Sequence, residues 1–128
     1  MTNHVLIVED EESILLSLEF LLDKEGYIVS TARDGAEALR LLQAQAPDLV
    51  LLDVMLPLID GFELCRRIRA LPELAAARIM LVTARGRDAE IERGLALGAD
   101  AYLTKPFSTR ELMDKVRALL AAPRPPAT

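Results

Sequence analysis

The chain has 128 residues, enough for one domain that buries well over half of its unfolded surface. A net charge of −5 with few aromatics and no Trp argues against direct nucleic-acid binding, anionic membranes and base-stacking platforms. No apolar run approaches the roughly 20 residues that span a bilayer, no signal-peptide pattern opens the chain, and the lone Cys65 excludes an internal disulfide and suits a reducing cytoplasm.

In chain order, Val5-Leu-Ile-Val8 reads as a buried strand running into Glu9-Asp10-Glu11-Glu12. A helix follows from about Ser13 to Glu25, its core stripe made by Ile14, Leu15, Leu18, Leu21 and Leu22, with Gly26 placed to stop it. Tyr27-Ile-Val-Ser-Thr31 is a second strand. Asp34-Gly35 turns into a helix with Ala38, Leu39, Leu41 and Leu42 inward, closed by Pro47. The third strand, Leu49-Val-Leu-Leu52, is apolar throughout, as a parallel strand covered on both faces should be, and ends abruptly in Asp53. Pro57 and Asp60-Gly61 mark a turn into a helix burying Leu64, Cys65, Ile68 and Leu71, which Pro72 ends.

Ile79-Met-Leu-Val82 is the fourth strand, terminating in Thr83-Ala84. The fourth helix is the least regular, because Gly94 interrupts its Ile91/Leu95 face before Gly98 ends it. Ala101-Tyr-Leu103 is a short fifth strand leading to Thr104-Lys105-Pro106. Ser108 and Glu111 form a capping-box pattern for a last helix carrying Leu112, Val116, Leu119 and Leu120. Residues 1–121 are expected to form the domain, and the Pro-rich residues 122–128 a tail or linker stub.

Five alternations of strand and helix predict an α/β fold, a doubly wound five-stranded parallel sheet with helices on both faces. All strand ends then meet on one rim, where open α/β sheets bind ligands. That rim collects Glu9, Asp10, Asp53, Thr83 and Lys105. Each has an ordinary structural explanation taken alone; together they point to a site.

The pieces Val8-Glu-Asp-Glu11, Asp53-x-Met55-x-Pro57-x-x-Asp60-Gly61, Val82-Thr-Ala84 and Gly98-Ala-Asp100-x-Tyr102 before Lys105-Pro-Phe107 resemble the receiver domain of two-component response regulators. The resemblance runs from about Val5 to Leu120 and implies the flavodoxin-like sheet order 2-1-3-4-5. It implies that Asp53 takes a phosphoryl group from a histidine kinase or histidine phosphotransfer protein. Two carboxylates about 4 Å apart repel by on the order of 4 kcal/mol at an effective dielectric of about 20, so Mg²⁺ is the expected cofactor. Asp10, Asp53 and the Met55 backbone carbonyl are its implied ligands, with Glu9 reaching through water. Lys105 and Thr83 are implied to stabilise the phosphoryl oxygens. The same resemblance makes Thr83 and Tyr102 the switch pair, Pro106 the site of a cis peptide, and helix 4–strand 5–helix 5 the switched surface and a candidate homodimer interface. Ser13, Leu16, Ser17 and Phe20 form an expected docking patch for the phosphodonor.

Some positions depart from the family pattern. Leu58 stands where many receivers have Gly, which bears on the loop's shape. Ala101 replaces the second Asp of receivers that dimerise to bind DNA and, with Ile91, argues against that output. Met55 and Arg85 are large side chains where receivers tune water access to the acyl phosphate, so slow hydrolysis is expected. His4 and Cys65 read as structural. The domain is expected to turn over no external metabolite. The rivals are a non-phosphorylated pseudo-receiver, a haloacid-dehalogenase-type hydrolase, disfavoured by Met55 where that class needs Asp, and a dinucleotide enzyme, disfavoured by Glu9-Asp10-Glu11 where a glycine fingerprint belongs.

Overall fold

The computed structural model describes residues 2–84 and 88–121. Its elements are β1 (His4–Val8), α1 (Glu12–Lys24), β2 (Ile28–Ala32), α2 (Gly35–Ala44), β3 (Leu49–Asp53), α3 (Gly61–Arg69), a short 3-10 helix (Pro72–Leu74), β4 (Arg78–Ala84), α4 (Asp88–Ala96), β5 (Ala101–Lys105) and α5 (Thr109–Ala121). All strand pairs are parallel, in the order β2-β1-β3-β4-β5. The alternation thus produces the doubly wound sheet expected of it.

Side chains alternate across each strand, so the sheet splits the interior in two. Val5, Ile7, Leu49, Leu51, Met80 and Leu103 meet α1 and α5 through Leu15, Leu18, Leu22, Leu112, Met113 and Val116. Leu6, Val8, Val50, Leu52, Ile79 and Leu81 meet α2 and α3 through Ala38, Leu42, Leu64, Cys65 and Ile68. Three helix starts, those of α2, α3 and α5, are fixed by side-chain oxygens accepting otherwise orphaned backbone N–H groups. Asp34 Oδ1 accepts from Glu37 N at 2.8 Å, Asp60 Oδ1 from Glu63 N at 2.9 Å, and Ser108 Oγ from Glu111 N at 3.0 Å.

The fourth helix differs from the expectation. Leu95 is 44% exposed, so the Ile91/Leu95 stripe is not its core face. Gly94 is buried instead, and a Cβ there would stand 2.0 Å from Leu81 Cδ1. The glycine is the contact point that lets α4 approach β4. Leu71, expected in the core, is only partly buried, while Phe62 and Leu74 fill the space beside α3. β4 and β5 run further than expected, to Ala84 and Lys105, because their ends pair with each other (Thr83 with Thr104, Ala84 with Lys105).

At the opposite end of the sheet a polar clamp joins three segments. Arg69 Nε donates to Gly98 O at 2.8 Å and Nη2 to Asp100 Oδ2 at 2.7 Å, while Asp100 Oδ2 also accepts from Ile79 N at 2.8 Å. The end of α3, the start of β4 and the loop before β5 are held at one point.

Candidate functional site

The sheet's two-residue period determines how the rim residues meet. Asp53 has the parity of Leu49 and Leu51, Lys105 that of Leu103, and Glu9, one step beyond β1, that of Ile7; all three sit on the α1/α5 side. Thr83 has the parity of Leu81 and belongs to the other side. Asp53 pairs with Val82 on the neighbouring strand, so Lys105 must reach across β4 to touch it. It does: Lys105 Nζ donates to Asp53 Oδ2 at 3.0 Å and to Glu9 Oε1 at 2.9 Å.

These groups are deeply placed. Glu9 is 2% exposed and Asp53 6%. Asp53 Oδ1 accepts from Met55 N at 2.9 Å, and Glu9 Oε2 from Glu11 N at 3.2 Å. Each buried carboxylate therefore has one oxygen on backbone and the other on the ammonium. Burial pushes Glu9 up to about 7, reinforced by its hydrogen bond with Asp53 and relieved in part by Lys105. Burial pulls Lys105 down, but the hydrogen bonds to Glu9 and Asp53 outweigh it, so its pKa lies above the ordinary lysine value.

Asp10 is exposed at the mouth, and single carboxylate oxygens of Glu9, Asp10 and Asp53 all lie within 4.8 Å of one another. Three carboxylates set against one ammonium leave excess negative charge in a space of ion size. An all-oxygen donor set of this kind fits a hard divalent cation. The neighbouring backbone is tightly built: a Cβ at Gly61 would stand 2.4 Å from Asp53 O and 2.7 Å from Val54 Cα. Only glycine allows α3 to begin there, directly against the end of β3.

Leu58, in the loop between Asp53 and Gly61, has φ +68, so the left-handed turn survives the departure from Gly. Its side chain is 85% exposed. Thr83 is 2% exposed, and its hydroxyl oxygen is buried without a hydrogen-bond partner. Tyr102, paired with Leu81, shares the Thr83 side of the sheet but lies at its outer edge, 38% exposed. The Lys105–Pro106 peptide is cis. Ser13, Leu16, Ser17 and Phe20 are all exposed on α1. Arg85 and residues 122–128 lie outside the described residues.

His4 stands at the far end of the sheet. Its Nε2 is 2.7 Å from Ser30 Oγ and its backbone N–H donates to Asp48 Oδ2 at 2.7 Å, a structural arrangement remote from the rim. Cys65 is buried with Sγ 3.8 Å from Leu97 O. Sequence reasoning missed the Arg69–Asp100 clamp and Lys115, whose Nζ lies 4.6 Å from the Tyr102 ring centroid. Both join residues far apart in sequence, and periodicity carries no signal for such pairs.

A five-stranded parallel sheet in the order 2-1-3-4-5, with its acidic cluster beside the β1/β3 crevice, defines a flavodoxin-like α/β protein with its site at the topological switch point. A family model described as "Response regulator receiver domain" matches residues 5–117, and the chain belongs to that family. It is 48% identical over 125 residues to the phosphate regulon transcriptional regulatory protein PhoB of Rhizobium meliloti (strain 1021), covering 98% of this chain and 55% of that protein. It is 45% identical over 120 residues to the alkaline phosphatase synthesis transcriptional regulatory protein PhoP of Bacillus subtilis (strain 168), covering 94% and 49% respectively. The chain thus spans about half the length of these curated relatives. Among solved structures, a putative response regulator from Chloroflexus aurantiacus J-10-fl superposes with a TM-score of 0.91 at 38% identity, covering 95% of this chain and 100% of that one. The chemotaxis response regulator CheY4 of Vibrio cholerae gives 0.89 at 32%, covering 94% and 100%.

Proposed function

We propose that this receiver domain is phosphorylated on Asp53 by a histidine kinase or histidine phosphotransfer protein, with Mg²⁺ as cofactor, and signals through α4, β5 and α5. The observation that carries the reading is the double contact of Lys105 with Glu9 and Asp53, beside Asp10. A pseudo-receiver has no need of buried carboxylates around a partly buried ammonium. Likeness to two transcriptional regulators weighs against reading Ala101 as the mark of a different output. The output of the whole protein, a homodimer through α4-β5-α5 and a cytoplasmic setting belong to the same proposal.

An Asp53 carboxylate oxygen forms the new O–P bond as the P–N bond of the phosphohistidine breaks, leaving the electron pair on the imidazole nitrogen. Asp53 is pre-oriented by the Met55 N–H, so little freedom is lost on reaction. Asp10, Asp53 and the Met55 carbonyl would hold the cation, with Glu9 through water. When bound, Mg²⁺ supplies neutralisation of charge on the transferring oxygens. Lys105 gives up one carboxylate and donates to a phosphoryl oxygen, and the unpartnered Thr83 hydroxyl donates to another. Tyr102 then moves inward from the sheet edge toward Thr83, biasing a pre-existing equilibrium. Ser13, Leu16, Ser17 and Phe20 receive the phosphodonor's helices. The domain catalyses only its own phosphorylation and hydrolysis.

Incubation with acetyl phosphate and Mg²⁺ tests this by intact mass. One phosphoryl group gained, and abolished by Asp53→Asn, is the expected result; no gain returns the chain to the pseudo-receiver reading.

A further inference from the structure

Tyr102 and Lys115 make a contact on which the phosphorylation chemistry does not draw. Lys115 Nζ donates to the Tyr102 backbone oxygen at 2.5 Å and lies 4.6 Å from the centroid of the Tyr102 ring. The two contacts have different dependence on the ring. The carbonyl bond ties the ammonium to the β5 backbone whatever the side chain does. The ring contact exists only while Tyr102 lies outward at the sheet edge. The first contact therefore keeps the cation in place for the second.

We propose that Lys115 is a positioning residue that holds Tyr102 in its outward orientation and so sets the resting level of the switch. This rests on the reading of Tyr102 as the switch residue. An ammonium over an aromatic face is attracted by the ring quadrupole, and moving the ring inward forfeits that attraction. Because phosphorylation and the inward state favour one another, coupling is reciprocal. Whatever stabilises the outward ring weakens the response to phosphorylation by the same factor. For a partly exposed cation–π pair that factor is about two- to fivefold.

The chain has no Trp and only two Tyr, so Tyr27→Phe leaves Tyr102 as the sole reporter of tyrosine fluorescence. In that background, Lys115→Met is compared with the parent by acrylamide quenching and by titration with beryllofluoride, a phosphoryl mimic, in Mg²⁺ buffer. The expected result is lower quencher access to Tyr102 before addition and a beryllofluoride midpoint about two- to fivefold lower. Lys115→Arg, which keeps a cation over the ring, restores both. Equal quenching and an equal midpoint in Lys115→Met overturn the proposal, as does Lys115→Arg behaving like Lys115→Met. If the parent itself ignores beryllofluoride, the phosphoacceptor reading fails instead. The quenching comparison still decides whether Lys115 holds the ring.

Discussion

Lys105 Nζ lies 3.0 Å from Asp53 Oδ2 although a whole strand, β4, separates the strands that carry them. The side chain is stretched over the rim and three-quarters buried, so its charge is weakly screened where it meets the carboxylates.

Replacing it therefore has two separable effects. Lys105→Met should lower acetyl phosphate labelling of Asp53 by about 100-fold, the scale of losing one stabiliser of transferring charge. It should also destabilise the metal-free protein by on the order of 2 kcal/mol, since two buried carboxylates lose their counterion. Denaturant melts in EDTA and in Mg²⁺ measure the second effect, which Mg²⁺ should largely reverse. Equal loss in both buffers would contradict it.

The Glu9 carboxyl predicts a pH dependence of definite sign. Its folded value, about 7, lies above the ordinary 4.5, so the folded state binds the proton more tightly than the unfolded chain. The stabilisation this provides is complete below about pH 4.5 and is lost as pH rises through 7, on the order of 3 kcal/mol. His4 acts oppositely: burial, partly countered by Asp48, lowers its pKa, so its contribution is present above 6.5 and lost as pH falls. Glu63, held near 2 by Arg66 and Arg67, is ionised in the folded state throughout this window; its contribution is lost only as pH falls from about 4.5 toward 2 and is common to the parent and Glu9→Gln. Melting temperatures between pH 4.5 and 8 in EDTA, for the parent and Glu9→Gln, isolate the Glu9 part. The parent should lose more stability on raising pH, and parallel curves would refute the assignment.

Leu58→Gly should raise stability by about 1 kcal/mol. A left-handed non-glycine residue costs about 1–2 kcal/mol, more than the backbone entropy that glycine adds to the unfolded chain. The exposed side chain loses little packing on removal. Chemical denaturation reads the change; a loss of similar size would show that the loop is not strained at Leu58.

Gly94→Ala should cost about 1–3 kcal/mol, because its methyl would enter the space of Leu81 Cδ1. Leu81→Val in the same chain should recover part of that loss despite being destabilising alone. A strictly additive double mutant would remove the explanation.

Most of the sheet and four of the helices were legible because burial on both faces leaves unbroken apolar runs in the strands and burial on one face leaves a period-3.6 trace in the helices. Asp53 was visible as a charge that ends an unbroken apolar run, and Lys105 as a charge after the fifth strand in the Lys105-Pro-Phe107 piece. α4 was misread because its packing uses the absence of a side chain. Gly94 looks like a flaw to a pattern that counts hydrophobic residues, and Leu95 looks like core. Leu58 could be flagged as a departure, but its positive φ follows from the closed loop around it. Partners such as Arg69 with Asp100, or Lys115 with Tyr102, are set by tertiary geometry alone.

The Arg69 clamp has a kinematic consequence. Because Gly98 and Asp100 are fastened to α3 and to the first residues of β4, the C-terminal foot of α4 is a fulcrum. Any displacement of that helix that spares the clamp is a swing, not a slide, with its travel growing toward Asp88, the end nearest the acidic rim.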